Sequence, residues 1–177
     1  TADSFKLHFK NYYQWVVNKI KLPESSVVLD IGSNDGTCLS FFQKKYKVCG
    51  IDPALKPSQI ANKNNIFTIN DYLNHNSSQK ILKKFGNIDL ITSHNVLAHI
   101  DNNLETFKII YKLLKPKGYF CFEIGYFLKV VQNNYFDTIY HEHLDYYNAN
   151  SLVKFLCKLN FSIIDITVNP SQGGSLR

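Results

Sequence analysis

Four consecutive residues, Tyr140-His141-Glu142-His143, bring a phenol, two imidazoles and a carboxylate into one short segment. Three readings are open for them. Two imidazoles and a carboxylate are good metal ligands, but the spacing is not His-Glu-x-x-His, and no metal is assigned. On extended backbone, alternate side chains share a face, so His141 and His143 would point one way and Tyr140 and Glu142 the other. The second reading is acid–base chemistry: an imidazole titrates near neutral pH, and a neighbouring carboxylate or phenol can orient it and tune its pKa. The third is a polar loop whose side chains satisfy backbone groups. His99, from a separate stretch of chain, is another imidazole able to face the same space.

A second group lies near the start, in Val27-Val28-Leu29-Asp30-Ile31-Gly32-Ser33-Asn34-Asp35-Gly36. An apolar, β-branched run feeds a turn with glycine at two positions, which lets backbone approach a ligand. The spacing is not Gly-x-Gly-x-x-Gly, so the cradle for a pyrophosphate is missing. Ser33 and Asn34 fill the loop, and Asp30 and Asp35 place negative charge beside it. Two carboxylates repel phosphate and suit a cation. Asp52, followed by Pro53, closes the next apolar run, where an acid accepts hydrogen bonds from ribose hydroxyls. A nucleoside with a ribose and a cationic, phosphate-free arm meets these demands, and S-adenosylmethionine (SAM) is such a molecule. A nicotinamide-dependent oxidoreductase is disfavoured by the same residues. The bland alternative is a turn shaped by its glycines, with Asp52 capping a helix.

Positioning these groups requires strands that end at the glycine turn, at Asp52 and before the histidines. Helical spacing of Phe5, Phe9, Val16 and Ile20 predicts a first helix over 5–20. Strands are expected at 26–31, 47–51, 66–69, 88–93, 119–124 and 161–168, and helices at 37–45, 56–64, 79–84, 102–114 and 151–159. Asn74 to Ser78 reads as a polar loop and 126–148 as irregular. Asp101 is the expected cap of the fifth helix, and Asn150 or Ser151 that of the last. Alternation of strands and helices argues for an α/β domain, an open parallel sheet wrapped by helices.

The motifs now bear a resemblance. Asp30-x-Gly32-x-x-x-Gly36 with Asp52, Ser93-His94-Asn95-Val96-Leu97, and Leu113-Leu114-Lys115-Pro116-Lys117-Gly118 are together similar to class I SAM-dependent methyltransferases over about residues 20–170. That resemblance implies a Rossmann-like sheet of order 3-2-1-4-5-7-6, flanked by helices, with strand seven antiparallel between five and six. Residues 174–177 would be only its beginning, a seventh strand truncated at the C-terminus. It implies SAM as cofactor, held by Asp30, Gly32, Ser33, Asn34, Asp35, Gly36, Asp52, Pro53 and Asn95, with Asp71 near the adenine.

Phe136 to His143, Gly173-Gly174-Ser175-Leu176-Arg177, Asn95 to His99 and Phe122-Glu123 more narrowly resemble the sugar C-methyltransferases, which methylate carbon beside a ketone in nucleotide-linked deoxysugars. By that resemblance His143 is the base that removes the proton, Tyr140 and Glu142 position the sugar or share the proton, and His99 assists. Members of that family are longer, with a cysteine-rich zinc module before this region and a further domain after it. The expectation is one methyltransferase domain over residues 1–177, a fragment of that architecture or one completed by a second chain. Two other outcomes are a methyltransferase with another small-molecule acceptor and a SAM-binding module inactive without its missing segments.

Composition excludes other classes. No apolar run reaches the roughly 18–20 residues of a membrane span. The net charge of +6 rests almost wholly on dispersed lysine, with Arg177 the single arginine. Proteins that read bases lean on arginine, so nucleic acid is not an expected partner; a small molecule is. Four cysteines never paired as Cys-x-x-Cys argue against a zinc ribbon or disulfide scaffold and for a cytoplasmic setting.

Overall fold

The computed structural model describes residues 2–177. Seven strands form one mixed sheet of order β3-β2-β1-β4-β5-β7-β6, as the resemblance implied. In chain order these are β1 (Val27–Ile31), β2 (Lys47–Ile51), β3 (Thr68–Ile69), β4 (Ile88–His94), β5 (Leu114–Gly125), β6 (Val168–Asn169) and β7 (Ser175–Leu176). The helices are α1 (Asp3–Lys19), α2 (Thr37–Phe42), α3 (Leu55–Lys63), α4 (His75–Phe85), α5 (Asn103–Leu113), α6 (Phe127–Asn133) and α7 (Ala149–Lys158).

The chain forms two compact units: the first runs to Thr92 and takes in Lys112–Phe120, and the second comprises Ser93–Tyr111 and Cys121–Arg177. In the first, all five residues of β1 are buried, as a run of valine, leucine and isoleucine requires in a parallel strand covered on both faces. β1 pairs with β2 in parallel, Asp30 opposite Gly50 and Ile31 opposite Ile51, so both strands deliver their carboxyl ends to one place. Phe42 of α2 is fully buried against Tyr12 and Tyr13 of α1, its ring edge-on to Tyr13 at 5.0 Å. In the second unit the buried ring of Phe107 meets Phe155 edge-on at 5.2 Å and Phe122 edge-on at 6.1 Å.

Several boundaries differ from the sequence reading. α4 begins at His75 because Asn74 and Ser77 form a reciprocal capping box, which turns the expected polar loop into a helix start. The first turn of α5 is capped by Asn102, not Asp101: its Oδ1 accepts from the Glu105 amide. α7 is capped by Asn148, not Asn150 or Ser151, through a bond from the Ser151 amide. β5 starts earlier than predicted, at Leu114, and carries Lys117 in the left-handed region. β6 is far shorter than 161–168, because its ladder exists only where β7 is present. Val168 and Asn169 pair with Leu176 and Ser175, Thr167 exchanges two backbone bonds with Arg177, and 161–166 have no assigned strand. The antiparallel pairing of β7 with β5 is as expected, Ile124 opposite Leu176. No helix among the described residues is long and apolar enough to cross a membrane.

Cys38 and Cys49 are buried thiols and Cys157 is exposed. Burial first, and the charge of Asp30 second, push the Cys49 thiol up to about 12. The unfolded chain releases that proton near 9.0, so the fold loses stability as pH climbs from there toward about 12. At pH 8, iodoacetamide is expected to label Cys157 within minutes and Cys49 only on unfolding; peptide mass mapping checks this, and early labelling of Cys49 would contradict its burial.

Candidate active site

The turn after β1 is wound tightly. Gly32, Asn34 and Gly36 all have positive φ (70°, 50° and 79°), which glycine tolerates freely and asparagine at modest cost. Gly32 and Ser33 donate their amides to the Ile51 carbonyl at 2.8 and 3.2 Å, docking the turn on the end of β2. Space at Gly36 is also tight, since a Cβ there would lie 2.9 Å from Ile66 Cδ1 and 3.2 Å from Ala61 Cβ. Asp52 completes the loop: one carboxylate oxygen accepts from the Asn34 amide and the other from the Ala54 amide, both at 2.8 Å. A carboxylate accepts about four bonds, so each oxygen retains capacity for a ligand hydroxyl. Asp30, 2% exposed, accepts from the Thr92 hydroxyl at 2.7 Å.

Ser33 is equally buried, and its Oγ has no hydrogen-bond partner among the described residues. A buried hydroxyl without a partner costs about 1–3 kcal/mol, and a ligand atom would relieve this. Its position depends on Gly50: a Cβ there would come within 2.8 Å of Ser33 Cβ and 2.9 Å of Thr68 Oγ1. Gly50→Ala is expected to cost about 1–3 kcal/mol and to weaken cofactor binding by shifting the loop. Denaturant melts and calorimetry check both, and unchanged affinity would remove the loop-spacing role.

Other predicted residues serve the framework. Asp35 caps α2, accepting from the Thr37 amide at 3.1 Å and hydroxyl at 2.6 Å. Asp71 accepts from the Tyr72 amide and from Asn74 Nδ2. Asn70 ties the ends of β2 and β3 by donating to the carbonyls of Asp52 and Pro53.

The second unit contains a cavity of about 330 Å³. Its wall includes His99, Tyr140 and His143, three of the four predicted catalytic residues, together with Asn95. The His99 and His143 rings lie 4.8 Å apart, and the Tyr140 ring 4.4 Å from His143. Carbonyl oxygens only accept, so they set the tautomers. His143 Nδ1 lies 2.8 Å from the Thr138 carbonyl and must donate to it. His143 Nε2, 3.3 Å from the Tyr140 hydroxyl, is then the basic nitrogen of the neutral ring. His99 Nδ1 likewise donates to the Glu142 carbonyl at 2.8 Å. The geometry thus gives Glu142 a backbone role: its carbonyl orients His99, while its exposed side chain is not part of the cavity wall.

Sequence reasoning missed Tyr126, Lys129, Tyr135 and Tyr146 in this wall, and the helix α6 that carries Lys129. The signal was compositional only, a tyrosine- and asparagine-rich stretch without apolar periodicity. Tyr147 is structural. Burial, reinforced by Asp145, raises its phenol, and its hydroxyl donates to the Leu97 carbonyl at 3.4 Å.

Residues 8–166 match the family model described as a methyltransferase domain. The chain belongs to that methyltransferase family. It is 30% identical over 176 residues to the C-methyltransferase NovU of Streptomyces niveus, covering 99% of this chain and 42% of that one. It is 34% identical over 113 residues to the phosphoethanolamine N-methyltransferase of Plasmodium falciparum, covering 58% of this chain and 40% of that enzyme. The chain therefore spans about two-fifths of the length of these curated relatives. Among solved structures, a SAM-dependent methyltransferase from Clostridium acetobutylicum superposes with TM-score 0.73 at 16% identity, covering 95% of this chain and 89% of that one. Magnesium protoporphyrin IX methyltransferase from Synechocystis, with bound S-adenosylhomocysteine (SAH), gives 0.70 at 14% identity, covering 98% and 83%. These likenesses show the fold.

The chain is thus a class I methyltransferase, and SAM is the methyl donor of that class. The first unit fits it: two buried carboxylates, a partnerless serine hydroxyl and a turn without a phosphate cradle match a cationic nucleoside.

Proposed function

We propose that this methyltransferase acts on carbon, next to the ketone of a nucleotide-linked keto-deoxysugar. The observation that carries the reading is the imidazole of His143, held by the Thr138 carbonyl with its basic nitrogen toward Tyr140 in a cavity wall. Methyl transfer to an amine nitrogen needs mainly positioning, whereas carbon becomes nucleophilic only after a proton leaves the position beside a carbonyl. His143 Nε2 takes that proton, and the C–H electron pair moves into the enolate. Tyr140, and His99 with its Nδ1 tied to Glu142, donate toward the enolate oxygen or orient the base. Asp30, Ser33, Asn34, Asp52, Pro53 and the Gly32–Gly36 backbone would hold SAM, whose sulfonium would supply an electrophilic methyl group; Asp35 supports that loop, and Asp71 the turn after β3. The similarity to a C-methyltransferase across nearly the whole chain supports the same reading.

The two units are proposed to work as one domain, since β4 and β5 run through both. A cytoplasmic setting fits the four dispersed cysteines, none of them in a Cys-x-x-Cys pair. A second reading, transfer to another small acceptor such as an amine, draws on the Plasmodium relative. Proton exchange separates the two. Incubated in D₂O with SAH and a nucleotide-linked 4-keto-6-deoxyhexose, the protein is expected to wash deuterium into the carbon beside the ketone. With SAM it adds one methyl mass. Methyl addition to a small amine, with no exchange on the keto sugar, would establish the second reading instead.

A further inference from the structure

We infer that Glu123, deep in β5, is the positioning residue of the cavity, holding three of its walls in register through one buried carboxylate. Glu123 is 1% exposed. Its Oε1 accepts from Arg177 Nε at 2.8 Å, Arg177 Nη2 at 2.6 Å and Asn169 Nδ2 at 3.0 Å. Its Oε2 lies 3.0 Å from His94 Nδ1, and its carbonyl accepts from the Asn95 amide at 2.8 Å.

Each partner leads to the cavity. His94 and Asn95 are adjacent, and Asn95 lines the wall in the left-handed conformation, with a buried Oδ1 that has no partner among the described residues. Gly125, Tyr126 and Phe127 follow Glu123 one residue further along the chain, after Ile124, and form the second wall. Asn169, held by Glu123, accepts from the Ser171 amide at 2.9 Å and so closes the turn that presents Gln172, Gly173 and Gly174 as the third. The Tyr126 amide donates to the Gly174 carbonyl at 3.1 Å, joining the second wall to the third. That third wall is close-fitting: a Cβ on Gly173 would meet the Tyr135 ring, and one on Gly174 the Lys129 side chain, each at 2.8 Å. A displaced turn therefore moves two cavity side chains with it.

Stability does not call for this arrangement, since a buried ion pair can often be replaced by apolar residues without loss. What a bidentate arginine–carboxylate pair does provide is fixed geometry. The single arginine of the chain is spent here, and a lysine could supply the charge but not the fork.

The inference rests on the proposed acceptor for one arm of its test only. Glu123→Gln and Arg177→Lys are prepared in the full chain. The first arm needs no acceptor: ¹⁵N spectra read the amides of Asn95, Gly173 and Gly174 and the tautomer of His94. Shifts in those amides, with loss of the fixed Nδ1–H tautomer in Glu123→Gln, are expected, while SAH affinity stays within about twofold. The second arm measures turnover of the nucleotide-linked 4-keto-6-deoxyhexose, where KM should rise at least tenfold and kcat change less than threefold. A KM at the wild-type value in folded variants, or unmoved amides, would overturn the positioning role. If Glu123→Gln fails to fold, Arg177→Lys decides alone. If the wild-type protein does not turn over the keto sugar, the acceptor reading fails by itself and the amides decide the role of Glu123.

Discussion

His143→Gln is expected to lower kcat on the keto-sugar acceptor by roughly 10²–10⁴-fold, the usual contribution of a placed general base. Glutamine keeps the side chain polar but offers no basic nitrogen. The variant should fold normally, because His143 is only half-buried and its ring bonds to backbone at the Thr138 carbonyl alone. SAH should bind it as tightly as the parent, since the residues proposed to hold the cofactor lie in the first unit. Deuterium wash-in should vanish together with methyl transfer, because both need the same proton to leave. Retained exchange with lost transfer would move the base to another residue, His99 first, whose ring is 4.8 Å away. Quenched-flow turnover of the parent and the variant checks the assignment.

Asp52→Ala is expected to abolish measurable SAH binding. Each hydrogen bond to a charged acceptor is worth about 1.5–3 kcal/mol, roughly 10- to 150-fold in affinity per bond. The substitution removes the acceptor proposed for ribose hydroxyls and also releases the amides of Asn34 and Ala54. The glycine turn thus loses its anchor as well as the ligand its partner. Asp52→Asn separates these effects, since the amide oxygen can still accept one bond while the charge is gone. It should retain weak binding where alanine retains none. Calorimetric titration with SAH measures all three proteins, and wild-type affinity in Asp52→Ala would remove Asp52 from the cofactor site.

Much of the first unit was legible in the sequence, because its signals are local. The run Val27 to Ile31 can only be a buried strand, and Gly32 and Gly36 do occupy the left-handed region. Asp52 stands at the carboxyl end of β2, where the apolar run from Lys47 to Ile51 put it. The caps were less legible. Asn102 and Asn148 won over neighbouring candidates, and Asn74 turned an expected loop into a helix start, through side-chain bonds that depend on where the chain bends. The length of β6 was beyond reach because a strand is defined by its partner, and Phe161 to Ile166 read equally well with or without one.

The second unit divides the same way. Residue type alone marked His99, Tyr140 and His143, since imidazoles and phenols packed into a short polar stretch have few uses. Alternation could not show that Glu142 would act through its carbonyl, because that depends on His99 arriving from 43 residues away. Nor could it show that Glu123, one acid inside an apolar strand, gathers His94, Asn169 and the only arginine around one carboxylate. By itself the sequence determined most of the elements, the glycine turn and the chemical groups on hand, all of which follow from short-range patterning and backbone preference. The tertiary structure alone decided tautomers, helix caps and the walls of the cavity, because hydrogen bonds between distant residues exist only once the sheet has brought them within about 3 Å.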